Sequence, residues 1–172
     1  MLLAIECIGL LTILDREVFG SYGKVFLNIL RRERAKEDEH DLKEKIIALK
    51  STVDGLTVHG VTGPETQELF ECVTQEYLTV ENRFLRQVAI EGVCKMLFST
   101  KLCEDQAPEL TESILSMLII QLFDKKYNWQ NSLVRSTLTI FFSNFVLFSK
   151  QRCYLMLNAT TNVIYSILRA KY

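Results

Sequence analysis

The sequence predicts an all-α fold, a superhelical stack of about four antiparallel helix pairs. Apolar residues recur at helical spacing almost throughout, as in Ile5, Ile8, Leu11 and Leu14, and such a stripe is typical of an amphipathic helix. The 172 residues include only seven Gly and two Pro, too few for a turn-rich β-sandwich or a disordered chain. The third observation is that the helical pattern repeats along the chain.

Eight helices are predicted between breaks rich in polar residues. Gly60 to Pro64 ends one helix and starts the next, since Pro is favoured in the first helical turn. A charged stretch, Glu33 to Glu44, joins the second helix to the third. No strand-like alternation of useful length occurs. The predicted helices span residues 1–15, 17–34, 41–60, 65–79, 82–99, 108–124, 130–149 and 151–170.

These helices form four hairpins in a single domain, 1–172, with approximate repeats 1–34, 41–79, 82–124 and 130–170. The first helices align at Ala4, Ala48, Ala89 and Thr137, with spacings of 44, 41 and 48 residues. A period of about 40–47 residues with two helices per unit indicates HEAT-type repeats. One hairpin cannot bury both of its faces, so neighbours stack and share a core. A non-repetitive helical bundle would give some of the same matches and is the alternative. The position after the aligned one holds Ile5, Leu49, Ile90 and Leu138, and the position eight after it holds Thr12, Leu56, Leu97 and Phe145.

Two strongly apolar stretches are interpreted as buried helices. The opening MLLAIECIGLLTIL lacks a basic leader, carries Glu6 and is too short to span a bilayer. Residues 133–148 are interrupted by Arg135 and several polar residues. Because a terminal repeat needs a polar outer face, the apolar first helix suggests either a piece of a longer solenoid or an ordinary frayed terminus.

The charge distribution and the cysteine content limit which partners and which cellular compartment we expect. Residues 1–81 hold 9 Lys/Arg and 15 Asp/Glu, and residues 82–172 hold 11 and 6. This asymmetry fits either two different contact surfaces or a solvated face on each half. The five cysteines show no CxxC pair, and Cys7, Cys94 and Cys153 fall in apolar helix stretches. Buried thiols in a reducing compartment are therefore expected.

No constellation of residues specifies a reaction. His40 and His59 have no Cys or second His at ligand spacing, whereas a zinc site needs about four ligands. The segment Gly20–Lys24 resembles the tail of a phosphate-binding loop, but its spacing is wrong and a turn between helices explains it better. We expect no catalytic residue, metal, cofactor, small-molecule substrate or membrane contact. Four carboxylates are interpreted as a solvated, mutually repelling helix face: Glu65, Glu68, Glu71 and Glu76.

Basic residues cluster where helices are predicted to begin or end. Cations at a helix C-terminus are favoured by the helix dipole alone. In a solenoid, however, the turns of successive units align, so basic turns could form a stripe that follows a phosphate backbone. Such binding would tolerate any sequence and weaken with salt. The DNA-binding candidates are Arg31, Arg32, Arg34, Lys125, Lys126, Arg135, Lys150 and Arg152.

Five blocks of sequence go beyond a generic repeat. Residues 83–99, RFLRQVAIEGVCKMLFS, resemble the "LR…AAEGLAKLMFSG" helix of the condensin G subunit, also called the nuclear condensing complex subunit 3 family. The other blocks are similar to the family's helices in the same order and spacing. Ser143 replaces a usual proline, and residues 123–128 replace the family's "YNP". The other four blocks are Ala4–Leu11, Ile46–Gly60, Ile114–Ile119 and Leu133–Phe142.

The resemblance corresponds to the C-terminal part of that subunit's solenoid. It implies a non-catalytic HEAT-repeat subunit that binds the kleisin and double-stranded DNA in mitotic chromosome condensation. The SMC subunits, which carry the ATPase, would be reached through the complex. The nucleus, chromosomes and cytoplasm are the implied locations. One alternative is a generic HEAT adaptor that binds only protein. Another is an all-helical enzyme, which no set of residues in the sequence supports.

Overall fold

The computed structural model describes residues 2–33, 38–99, 108–124 and 132–169, and every regular element within these ranges is helical. The predicted all-α fold is confirmed. Helix α4 continues into a π-helical segment, Cys72–Tyr77. The helices are α1 (Leu2–Leu14), α2 (Arg16–Arg31), α3 (Glu39–His59), α4 (Pro64–Glu71), α5 (Arg83–Phe98), α6 (Pro108–Phe123), α7 (Ser132–Phe145) and α8 (Lys150–Arg169).

Side-chain caps explain several of the helix starts. The Asp15 carboxylate accepts hydrogen bonds from the N–H groups of Glu17 and Val18, at 2.7 and 3.3 Å, and starts α2. The Asp38 carboxylate accepts from the Asp41 N–H at 2.7 Å. Since such caps satisfy amide groups left unbonded by the first turn, α3 begins inside the charged stretch that was expected to be a connection.

Two local interpretations of the sequence were wrong. The Gly20–Lys24 segment is not a turn, because it lies inside α2. The seventh helix ends at Phe145 and not near residue 149. There the Leu147 N–H donates to the Asn144 carbonyl at 3.0 Å, which closes a turn before α8 begins.

The chain divides into two compact units, Met1–Leu102 and Cys103–Tyr172. In the first unit α1 packs on α3 and α3 on α5, which places the first helices of successive pairs in one layer. Helix α2 packs on α4 in a second layer and also contacts α1 and α3. In the second unit α6 packs on α8 and α7. The two-layer stacking in the first unit is a solenoid-like arrangement of helices.

The predicted repeat boundaries and the single domain stay predictions. The helices of the third predicted repeat, 82–124, fall in different units, since α5 belongs to the first and α6 to the second. Of the positions aligned between the first helices of the pairs, Ala4 is exposed and Thr137 is half-buried. The next position, and the one seven residues after it, are buried in all four helices, as a shared core position requires. The buried sets are Ile5, Leu49, Ile90 and Leu138, and, two turns further along the same face, Thr12, Leu56, Leu97 and Phe145.

Glycines allow the first-layer helices to approach closely. A Cβ atom on Gly9 of α1 would lie 2.1 Å from the Ser51 hydroxyl oxygen of α3. A Cβ on Gly92 of α5 would lie 2.5 Å from a Val53 methyl group of α3. Both distances are far below van der Waals contact. The close spacing of the helices in this layer therefore requires glycine, which has no side chain, at these two positions.

The two apolar stretches are buried on one side only, which corrects their interpretation as buried helices. Helix α1 buries Ile5 and Gly9 but exposes Leu3, Leu10 and Leu14. Residues Leu133, Ile140 and Leu147 are likewise exposed in the second stretch. In the described part of the chain, no helix combines the length and apolar character needed to cross a membrane.

The expectation of buried cysteines holds for only some of them. Cys72 and Cys94 are buried, whereas Cys7 and Cys153 are exposed. Burial raises the pKa of the Cys72 thiol to about 12, and burial also raises the pKa of Cys94 to about 12. Of the four cysteines in the described ranges, two are therefore expected to react slowly and two are accessible, while Cys103 lies outside those ranges.

Candidate protein and nucleic-acid interface

The C-terminal end of α2 carries two adjacent arginines that contact different acidic groups. Arg31 faces the second layer, where its guanidinium lies 2.7 Å from a Glu68 carboxylate oxygen and 2.6 Å from a Glu76 oxygen. Hydrogen bonds to Glu76 and then Glu68 raise the pKa of Arg31. All three side chains are partly solvated, so this is a surface ion-pair network of modest energy.

Arg32 faces the first layer and covers two buried carboxylates. Its guanidinium lies 2.5 Å from Asp41 and also hydrogen-bonds Glu44, and both carboxylates are fully buried. Hydrogen bonds to Glu44 and then Asp41 raise the pKa of Arg32. Lys45 approaches Asp41 at 3.5 Å and His40 approaches Glu44 at 3.3 Å. Buried charges need such partners, so this cluster joins the end of α2 to the start of α3.

The carboxylate face predicted on the fourth helix is paired, and the interpretation of mutual repulsion was wrong. Glu68 and Glu76 bind Arg31, and Glu65 lies 3.6 Å from Lys24. Glu71 accepts a hydrogen bond from Gln67 at 2.8 Å. The partners of three of these carboxylates come from α2, far away in sequence, so local spacing could not indicate them.

An open groove of about 740 Å³ lies beside the two arginines. The π-helical segment helps to shape it, since the Tyr77 hydroxyl donates to the Leu30 carbonyl at 2.7 Å and ties this segment to α2. Its walls combine apolar side chains with charges of both signs, a mixture suited to a protein segment more than to a phosphate backbone. The lining residues are Leu30, Arg31, Arg32, Glu33, Lys45, Glu76, Tyr77, Val80 and Leu85.

Apart from Arg31 and Arg32, which form the ion pairs described above, the predicted DNA contacts fall into three groups. Arg135 on α7 and Lys150 on α8 are exposed. Arg152 is buried, with its guanidinium 5.2 Å from the Phe145 ring centre and 5.0 Å from that of Phe148. Lys150 and Arg152 therefore begin the same helix but point to different surroundings. The remaining candidates Arg34, Lys125 and Lys126 lie outside the described residues.

The described ranges contain no candidate metal-binding site. No group of three or more His, Cys, Asp or Glu side chains there is arranged to hold a metal ion. His59 instead lies 2.8 Å from the Thr12 carbonyl oxygen through its Nε2 atom and packs near the Phe19 ring, at 5.9 Å between centres. This contact joins the ends of α1 and α3.

Packed helices with a surface groove define the class of protein, which is an all-α protein with a solenoid-like fold. The model of one family, nuclear condensing complex subunits, C-terminal domain, matches residues 2–172. The chain therefore belongs to the nuclear condensing complex subunits, a condensin subunit family, and corresponds to their C-terminal part. No curated protein and no solved structure matches the chain significantly.

Proposed function

We propose that this chain is the part of a non-catalytic condensin subunit that binds the kleisin and double-stranded DNA during mitotic chromosome condensation. The family match across residues 2–172 carries the proposal. The SMC subunits would be reached through the complex, and the place of action would be the nucleus and its chromosomes. No finding supports the cytoplasm, which is not proposed.

The groove beside Arg31 and Arg32 is the proposed site for a kleisin segment. It is open, and its walls combine apolar and charged side chains. An extended segment could place apolar side chains against Tyr77 and Val80 and polar groups toward the arginines. Protein interfaces commonly join an apolar centre to such a polar rim.

Co-elution with the kleisin in size-exclusion chromatography tests this site. Val80→Arg would fill the groove with a long cationic side chain, and we expect loss of co-elution. Val25→Arg is the matched control, because Val25 is exposed on α2 and does not line the groove. Equal co-elution of both variants would exclude the groove, and failure of the unaltered chain to co-elute would count against the kleisin assignment itself.

DNA binding is proposed to use the exposed cations Arg135 and Lys150 of the second unit. Arg31, Arg32 and Arg152 have structural contacts of their own, so their charges are partly used within the fold. Each lost phosphate contact should lower the slope of log K against log salt by about 0.9. The Arg135→Glu and Lys150→Glu double variant should therefore bind duplex DNA more weakly, with a slope smaller by about 2.

The generic protein-binding adaptor is the second candidate. The ion pairs of Arg31 and Arg32 favour it, because they leave fewer cations available to a phosphate backbone than the sequence suggests. A fluorescence titration with duplex DNA at about 50 and 200 mM salt separates the two, since DNA binding through several phosphates weakens strongly over this range. An absence of salt-dependent binding would select the adaptor.

A further inference from the structure

The outer face of α8 carries an apolar stripe with the spacing of a coiled-coil seam. The stripe residues follow one another at intervals of three and four, the a and d positions of a heptad. The four large ones are between 52% and 67% exposed. The stripe consists of Tyr154, Leu157, Thr161, Ile164 and Leu168.

This stripe is not the face that holds α8 in its unit. Helix α8 packs on α6 through a different set of residues, among them Leu155, Ala159 and Val163, which are buried. At that contact the Ser116 hydroxyl of α6 donates to the Ala159 carbonyl at 3.3 Å. Helix α8 therefore already has one apolar face that packs within its unit. Packing inside this unit does not explain why a second apolar face is exposed.

The charges on α8 are all positive and lie at its two ends. The helix contains Lys150, Arg152 and Arg169 and no Asp or Glu. Lys150 continues the stripe, four residues before Tyr154, and Arg169 directly follows Leu168. The middle of the stripe is uncharged over about four turns.

Lys150 stands at a position of α8 that does not favour a positive charge. It lies in the first turn, where the helix dipole disfavours a cation. Arg152, in the same turn, has a structural role through its stacking on Phe145 and Phe148, whereas Lys150 is exposed and forms no ion pair with the described residues. A negative charge supplied from outside would remove this conflict.

We propose that the outer face of α8 docks an amphipathic helix of a partner protein, whose own apolar a/d stripe has Asp or Glu at each end. The apolar centre would pack side chain against side chain, as in helix-in-groove recognition. The acidic ends would meet Lys150, which lies on the stripe, and Arg169, which follows its last residue, and this charge complementarity would favour one register. This site lies in the second unit, does not depend on the proposed kleisin groove, and shares Lys150 with the proposed DNA contact.

Two other occupants fit the same surface less well. A second copy of α8 would bring cations against cations at both ends, in either the parallel or the antiparallel orientation, and like charges disfavour such a pair. A DNA backbone could neutralise Lys150 and Arg169 but would leave the apolar side chains between them in water. A helix with acidic ends satisfies both features.

Binding of two labelled synthetic helices to the 172-residue chain tests the proposal. The peptides share Leu and Ile at their a and d positions and differ only at the ends, with Glu in one and Lys in the other. We expect the Glu-ended peptide to bind at least tenfold more tightly, measured by fluorescence anisotropy. The Lys150→Glu and Arg169→Glu double variant should reverse this preference. Equal binding of the two peptides would overturn the proposal.

Substitutions within the stripe test its location. Leu157→Glu with Ile164→Glu should weaken binding of the Glu-ended peptide at least tenfold. Leu3→Glu with Leu10→Glu is the matched control, because these α1 residues are also exposed, apolar and seven apart, and this variant should bind normally. Circular dichroism verifies folding of both. Equal effects of the two pairs would contradict the proposal, as would dimers of the unaltered chain that dissociate with Leu157→Glu and Ile164→Glu.

Discussion

The two neighbouring arginines at the end of α2 should differ in how much stability is lost when each is replaced by alanine. Arg32→Ala would leave Asp41 and Glu44 buried beside fewer cations, and breaking such a buried pair costs about 3–5 kcal/mol. Arg31→Ala would remove only partly solvated pairs with Glu68 and Glu76, each contributing at most about 1 kcal/mol. Urea unfolding should show the larger loss for Arg32→Ala, and equal losses would contradict the assigned burial.

The four cysteines in the described ranges should separate into two classes when the folded chain is exposed to a thiol reagent. Cys7 and Cys153 are exposed and should be modified by N-ethylmaleimide within seconds to minutes, while Cys72 and Cys94 should react only after unfolding. Peptide mapping by mass spectrometry measures each site. Rapid modification of Cys94 in the folded chain would contradict the structure.

The two buried thiols, Cys72 and Cys94, should make the free energy of unfolding depend on pH in alkaline solution. Their pKa values rise from 9.0 to about 12 on folding, chiefly through burial, so the folded state holds their protons more tightly. This contribution is complete below pH 9 and is lost as pH rises from 9 toward about 12. Replacing both residues, Cys72→Ala and Cys94→Ala, should flatten the pH dependence of unfolding in that window.

At the scale of the element, two glycines in helices should respond in opposite ways to the same change. Gly92→Ala places a methyl group 2.5 Å from Val53 and must force α5 away from α3, an overpacking that typically costs about 1–3 kcal/mol. Gly20→Ala meets nothing within 4 Å inside α2, so it should stabilise the chain by about 0.5–1 kcal/mol. Thermal unfolding of the two variants measures both signs, and stabilisation by Gly92→Ala would refute the close packing of α3 and α5.

Helices were predictable from sequence because their core stripes are local patterns. Leu49 and Leu56, spaced by two turns, are both buried on α3, and such spacing is visible without any partner. The π-helical segment Cys72–Tyr77 was not predicted, because the apolar spacing around it reads as ordinary helix. The ion pairs were missed for another reason. Arg31 meets Glu68 and Glu76, 37 and 45 residues away, and only the stacking of α2 on α4 brings them together.

At the scale of the molecule, the basic character of the sequence is partly used by the fold. Arg31 and Arg32 bind carboxylates of neighbouring helices, and Arg152 stacks on aromatic rings. Charge counting alone could not make this distinction, since it treats every lysine and arginine as a surface cation. The exposed Arg135 and Lys150 lie in the second unit, whereas the groove lies in the first. The two proposed activities are therefore assigned to different units and can be altered separately.

Stacked helix pairs stabilise one another through neighbours, so local damage should remain local. Leu115→Ala would create a cavity in the second unit, because Leu115 is fully buried on α6, which packs on α8 and α7. Such truncations cost about 2–5 kcal/mol. We expect hydrogen exchange to accelerate first in α6 and α8, while α1, which packs on α2 and α3, keeps its protection. Leu49→Ala, at an equally buried position on α3, should do the reverse by loosening α1 and α5. If each variant lost protection evenly along the whole chain, the chain would unfold as one cooperative body and the nearest-neighbour description would fail.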